Sequence, residues 1–195
     1  MIVAAEHLAP GLMLAVEGLT RIYGPGCDAC LATTGPDRDG NICQRCGSIV
    51  ACAEVGFELA PGEILGIMGE SGSGKSTVLR LLCGDEVASA GRARIRDADG
   101  GTAELFRLDA AERRRLRNER IGVVYQTPQQ GLCFDYSAGG NIAERLLGGA
   151  RPDYGSIRAR ARALMHRTEV PDARMDELPG TFSGGMQQRV QIAKA

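Results

Sequence analysis

Lys75 is one of only two lysines in a 195-residue chain that carries 21 arginines (23 basic residues less Lys75 and Lys194). It stands in the run Gly69-Glu70-Ser71-Gly72-Ser73-Gly74-Lys75-Ser76-Thr77, which meets the spacing G-x-x-x-x-G-K-[ST]. These residue types suit phosphate binding. Glycines let successive backbone N–H groups converge on an anion, and a following helix N-terminus adds partial positive charge. The lysine ammonium reaches the outer phosphates, and the Ser76 hydroxyl is placed to ligate Mg²⁺. With lysine so scarce, a chance match is improbable.

A second constellation is Cys27-Asp28-Ala29-Cys30 followed, twelve residues on, by Cys43-Gln44-Arg45-Cys46. Four thiolates in two turn-like pairs are what a closed tetrahedral zinc site needs, and such a site has no open position for catalysis. Residues 26–50 hold too few large apolar side chains to fold by burial, so a metal would supply their folding energy. A redox-active pair, an iron–sulfur cluster and four free thiols are the alternatives. Cys52 could be a spare ligand but fits a strand interior better. Cys83 and Cys133 read as packing thiols.

The elements that must position these groups follow from periodicity. Leu12–Tyr23 alternates as a strand and ends at the turn Gly24-Pro25-Gly26; Cys52–Leu59 resumes the alternation. The short apolar runs Ile64–Met68 and Ile121–Tyr125 predict strands buried on both faces. Gly91–Arg96 predicts another strand. Helices are expected over Ser76–Cys83, Asp109–Arg117, Asn141–Leu147, Ser156–Glu169 and from Gly184 onward. The phosphate loop thus lies between a strand and an apolar helix, the context its chemistry requires.

Composition is that of a water-soluble globular chain: 44% apolar, 24% charged, net charge −1. The near-zero charge argues against nucleic acid as a partner. No run approaches a membrane span, and the N-terminus lacks a basic signal-peptide region. Seven cysteines without such a signal suit a reducing, cytoplasmic setting.

A phosphate loop alone leaves kinases, GTPases, helicases and transport ATPases open. The later run Thr181-Phe182-Ser183-Gly184-Gly185-Met186-Gln187-Gln188-Arg189 narrows the choice. It resembles the signature of ATP-binding-cassette ATPases, in which Ser-Gly-Gly opens a helix that addresses the γ-phosphate of ATP held by the opposite subunit. Phe182 departs from the family's usual Leu, and Met186 from its usual Gln. The resemblance implies an α/β fold of the P-loop NTPase type, with an antiparallel β subdomain and a helical subdomain, here with the four-cysteine zinc-knuckle insert. It assigns ATP contacts to Tyr23 (stacking on adenine), to Gly69 through Thr77, to Ser183, Gly184, Gly185 and Gln187, and to Gln126. Lys75 and Gln126 become the catalytic groups, with Ser76 and Gln126 on Mg²⁺ and Cys27, Cys30, Cys43 and Cys46 on Zn²⁺.

The runs Ile121–Leu147 and Asp176–Arg189, above all Ser137-Ala138-Gly139-Gly140-Asn141-Ile142, resemble the ATP-binding subunits of phosphonate carbon–phosphorus lyase systems. Importer ATPases for peptides and nickel are the main competitor. The resemblance implies a cytoplasmic ATPase (ATP and water to ADP and phosphate) that dimerises around ATP and meets the lyase core subunits. It inserts in no membrane and binds no nucleic acid. A third class, a non-catalytic nucleotide-binding or zinc-scaffold protein, is weaker. The expected layout is a partial cassette over 12–195, the insert at 26–50, a helical subdomain at 127–180 and the signature region at 181–195. The family's Walker B Asp, catalytic Glu and switch His follow the signature. His7 and His166 are not in that position, so the chain is expected to be C-terminally incomplete and inactive alone.

Overall fold

A computed structural model describes residues 8–9, 11–38, 40–96, 100–147 and 153–195; His7 lies outside them. The chain divides into two compact units, Met1–Arg120 and Ile121–Ala195. The first holds β1 (Leu14–Tyr23), α1 (Cys30–Thr33), β2 (Ile49–Leu59), α2 (Lys75–Leu82), β3 (Ala90–Arg96), β4 (Thr102–Glu104) and α3 (Ala110–Glu119). The four strands form one antiparallel sheet in the order β2-β1-β3-β4.

β1 and β2 pair along their length, from Leu14 opposite Leu59 to Tyr23 opposite Ile49. The cysteine insert is therefore the loop of a long hairpin. The pairing is irregular in the middle, where Glu54 adopts a left-handed φ of 51°. The buried hydroxyl of Thr20 accepts the Glu54 N–H at 3.0 Å, satisfying a donor that the ladder leaves out. Ala15, Val16 and Leu19 turn into the core of this unit, as do Val78 and Leu81 of α2. α3 begins at a reciprocal cap. Asp109 accepts the N–H groups of Ala111 and Glu112, and the Glu112 carboxylate accepts the Asp109 N–H.

The helices lie where the periodicity predicts them, within a few residues. Two of the expected strands do not form. Residues 64–68 and 121–125 are irregular, and Ile64 and Met68 are 95% and 92% exposed. The reason is pairing. A strand apolar on both faces is stable only with neighbours on its edges and layers over its faces. Among the described residues no strand pairs with either segment.

The second unit contains α4 (Ala138–Leu146), α5 (Tyr154–Arg167) and α6 (Gly184–Lys194). They share one core, built largely from Ala138 and Ile142, Ala161 and Met165, and Val190 and Ala193. Phe182 joins it at 6% exposure, which is where the bulkier aromatic in place of leucine goes. The start of α4 shows why its sequence is distinctive. Ser137 caps the helix by accepting the Gly140 N–H. Asn141, fully buried, donates to the carbonyls of Cys133, Tyr136 and Ser137 and accepts the Cys133 N–H at 2.8 Å. One side chain thus replaces a ladder for the preceding turn. Replacing it leaves several buried backbone groups unpaired, so Asn141→Ala should cost about 2–4 kcal/mol in urea unfolding of the chain. A loss under about 0.5 kcal/mol would mean that water takes over these bonds without penalty.

Candidate functional site

The phosphate loop runs over Gly69–Ser73 as an exposed turn, with the Ser73 N–H donating to the Glu70 carbonyl at 3.2 Å. Gly74 caps α2 in the left-handed region, at φ 89°. A Cβ on Gly74 would lie 2.0 Å from the Ala51 carbonyl oxygen of β2. Only glycine lets the loop turn here while its backbone rests against the sheet. Lys75 opens α2, and its Nζ donates to the carbonyls of Gly69 (2.9 Å) and Glu70 (2.6 Å) and to Ser73 Oγ (3.3 Å). The ammonium therefore lies over the loop's own oxygens, where phosphate oxygens can replace those contacts. Ser76 is exposed on the first turn of α2 and Thr77 is half-buried. The donor set fits a nucleotide triphosphate with Mg²⁺: N–H groups and an ammonium for the phosphates, and the Ser76 hydroxyl for the cation.

Tyr23 ends β1 and is half-buried. Its hydroxyl donates to Glu86 at 2.5 Å, and the Arg21 guanidinium lies 4.5 Å from the ring centroid, covering one face. Nothing in the local sequence marked Glu86, which approaches Tyr23 from 63 residues away.

The remaining nucleotide-contact candidates belong to the second unit. Ser183 is the N-cap of α6 and its Oγ accepts the Met186 N–H at 3.4 Å; Ser183, Gly184 and Gly185 are exposed. The Gln187 amide is engaged locally, donating to the carbonyls of Pro179 (2.9 Å) and Phe182 (3.2 Å), and so braces the signature turn. Arg174 stacks over the Phe182 ring at 4.6 Å and binds Glu177 and Thr181, holding the turn from outside. Gln126 is exposed. The residue before it is gripped from α6. The buried Gln191 amide faces the Tyr125 backbone, and with its nitrogen turned to the carbonyl it donates there (2.8 Å) and accepts the Tyr125 N–H (3.2 Å). Gln191 was not recognisable as a site residue, since a glutamine within a helix reads as surface.

The four cysteines Cys27, Cys30, Cys43 and Cys46 converge with every sulfur within 4.8 Å of the others. Individual separations are 3.7 Å for Cys27–Cys30, 3.6 Å for Cys27–Cys43 and 3.5 Å for Cys30–Cys46. Cys52 is buried in β2, outside this group. A Thr33 hydroxyl, backed by the N–H groups of Cys46 and Arg45, brings the Cys43 thiol down to about 6. Hydrogen bonding from Ser48 lowers Cys46. The Cys27 N–H bond pulls Cys30 down, but burial and the surrounding sulfurs outweigh it and push this thiol up to about 12. Burial likewise raises Cys27. The sulfurs are packed too closely for four thiolates to coexist without a cation. The donor set and its compactness fit a thiophilic dication.

Residues 52–195 match the family model described as ABC transporter. The chain belongs to the ATP-binding proteins of the ABC transporter family. It is 40% identical over 182 residues to the ATP-binding protein PhnK of Escherichia coli (strain K12), named for phosphonates utilization. That match covers 93% of this chain and 61% of PhnK, so the chain spans about three fifths of that relative's length. A protein of Brucella ovis named for peptide import is 37% identical over 162 residues, covering 77% of this chain and 47% of that protein. Among solved structures, the dimeric bacterial ABC transporter cassette MJ0796 superposes with a TM-score of 0.72 at 27% identity, covering 93% of this chain and 68% of that one. The same cassette is known as a dimer in a post-hydrolysis state bound to ADP and Pi.

The contact between Gly74 and Ala51 generates a prediction. Gly74→Ala forces a side chain into the left-handed region and against a backbone carbonyl, so the loop must shift. Affinity for a fluorescent ATP analogue should fall by at least about tenfold while the helical circular-dichroism signal is kept. Unchanged affinity would mean that the loop geometry is not what binds phosphate.

Proposed function

We propose that this chain is the nucleotide-binding portion of an ATPase subunit that serves a phosphonate carbon–phosphorus lyase system. The observation that carries the reading is the 40% identity to PhnK across 93% of the chain. Gly69–Thr77 holds the triphosphate, with Lys75 on its outer oxygens and Ser76 on Mg²⁺. Tyr23 stacks on adenine, and Gln126 contacts Mg²⁺ and senses a partner subunit. Ser183, Gly184 and Gly185 address the ATP of a second copy, with Gln187 shaping their turn. The dimeric MJ0796 cassette supports an ATP-bridged homodimer. ATP supplies the phosphoanhydride whose hydrolysis drives conformational change, and Mg²⁺ neutralises its phosphate charge. Turnover is proposed of the whole protein. The four cysteines are read as a structural zinc site.

No helix among the described residues is long and apolar enough to cross a membrane. We place the protein in the cytoplasm, with lyase core subunits as partners and no nucleic acid. The peptide-import relative from Brucella ovis favours a second reading, the motor of a peptide-type importer.

Lys75→Ala removes the only ammonium in the loop and should weaken ATP binding by at least about tenfold in the same fluorescence titration. Affinity purification of the full-length protein from its own cells separates the two readings. Lyase core subunits in stoichiometric amount are the expected companions. Permease subunits without any lyase component would replace the first reading with the second.

A further inference from the structure

The spacing of the four sulfurs is informative beyond their number. A single ion with metal–sulfur bonds of about 2.3 Å in tetrahedral geometry sets its ligands about 3.8 Å apart. Three of the six separations are 3.5–3.7 Å, and all six lie within 4.8 Å. A disulfide needs about 2.05 Å. A two- or four-iron cluster interposes its own sulfides and spreads the cysteines wider. The arrangement is that of a mononuclear site, and it is built: Cys43 and Cys30 are 0% and 1% exposed. Each pair sits on a tight turn, with the Cys30 N–H donating to the Cys27 carbonyl and the Gly47 N–H to that of Cys43. The insert has little else to hold it, since Leu31 and Ile42 point to solvent.

The site is also joined to the β1–β2 ladder. Ser48 is 1% exposed and lies at the junction. Its Oγ accepts the Gly26 N–H at 3.0 Å and is hydrogen-bonded to Cys46 Sγ at 3.2 Å, while its carbonyl accepts the Cys43 N–H at 2.8 Å. Gly24, next to Tyr23, approaches so closely that a Cβ there would lie 2.8 Å from Ser48 Oγ. Cys30 and Cys43 pack with Val50 and Ile22, and the next pair along the ladder is Tyr23 with Ile49. The Ile22–Val50 rung therefore rests on the cysteine cluster, and Tyr23 follows it directly on β1.

We propose that Cys27, Cys30, Cys43 and Cys46 hold one zinc ion, and that this ion, acting through Ser48 and the end of the β1–β2 ladder, positions Tyr23 and thereby sets the adenine-dependent part of nucleotide affinity. The second half rests on the reading of Tyr23 as the adenine-facing aromatic. Tyr23 is a positioned residue here and the cysteines are positioning residues; none of them touches the reacting phosphates. The ion exerts its effect on base recognition and leaves the phosphate loop as it is.

The test uses the purified chain. Elemental analysis should return one zinc per chain; under about a tenth of an equivalent would overturn the proposal. Zinc is then stripped with a chelator under reducing conditions, and affinities are measured for ATP and for inorganic tripolyphosphate, which has no base. The expected result is ATP affinity falling by about tenfold, tripolyphosphate affinity unchanged, and recovery on adding zinc back. Loss of both affinities together, or of neither, overturns the coupling. Ser48→Ala keeps all four ligands, so it should retain zinc while losing ATP affinity selectively; a Ser48→Ala chain with normal ATP affinity counts against this route. In Tyr23→Ala, stripping zinc should make no further difference to ATP binding, and a further drop would show that the ion acts elsewhere. A zinc-replete chain that binds neither ATP nor tripolyphosphate sinks the nucleotide half together with the functional reading, and leaves the metal count as a separate result.

Discussion

The antiparallel pairing of β1 with β2 is the constraint on which the chemistry of the 1–120 unit depends. The cysteine cluster closes the hairpin at one end, where Tyr23 meets Ile49. Nearby, the carbonyl of Ala51 supplies the surface against which Gly74 must lie. A single ladder therefore fixes the cysteine knuckle, the terminal aromatic and the start of α2. Local propensity alone would not hold this arrangement. α2 has eight residues, too few to be stable in isolation, and depends on burying Val78 and Leu81.

In the 121–195 unit the corresponding role falls to buried amides. Asn141 gathers the turn before α4, and Gln191 holds the backbone of Tyr125. Both side chains are almost fully removed from water, yet each is satisfied by backbone groups that would otherwise be unpaired. Such positions specify one loop conformation, because any other leaves several polar groups without partners. The distinctive sequence around Ser137–Ile142 is explained by that geometry, independently of any partner it meets.

Much of this was legible in the sequence, for identifiable reasons. The phosphate-loop pattern, the signature and the cysteine pairs are local patterns of fixed spacing, so they are readable without knowledge of the fold. Helix positions followed from periodicity, while the caps Asp109, Ser137 and Ser183 emerged only with the structure. What escaped was long-range. Glu86 reaches Tyr23 across 63 residues, Ser48 serves both the knuckle and the ladder, and Gln191 turns inward from a helix of low amphipathicity. The runs 64–68 and 121–125 have the composition of buried strands, but a strand is a relation between segments. Composition says what a segment can bury and is silent about who pairs with it.

The grip of Gln191 on Tyr125 makes α6 a lever. Ser183 at its N-cap and Gln191 in its third turn are eight residues apart, about 12 Å along the axis at about 1.5 Å per residue. Two hydrogen bonds on one residue's backbone, donor and acceptor together, leave little slack at the far end. The Glu144 ion pair of Lys194, at 2.7 Å, ties the helix's C-terminal end to α4. Ser183–Gly185 and the peptide next to Gln126 are thus joined through one unbroken helix.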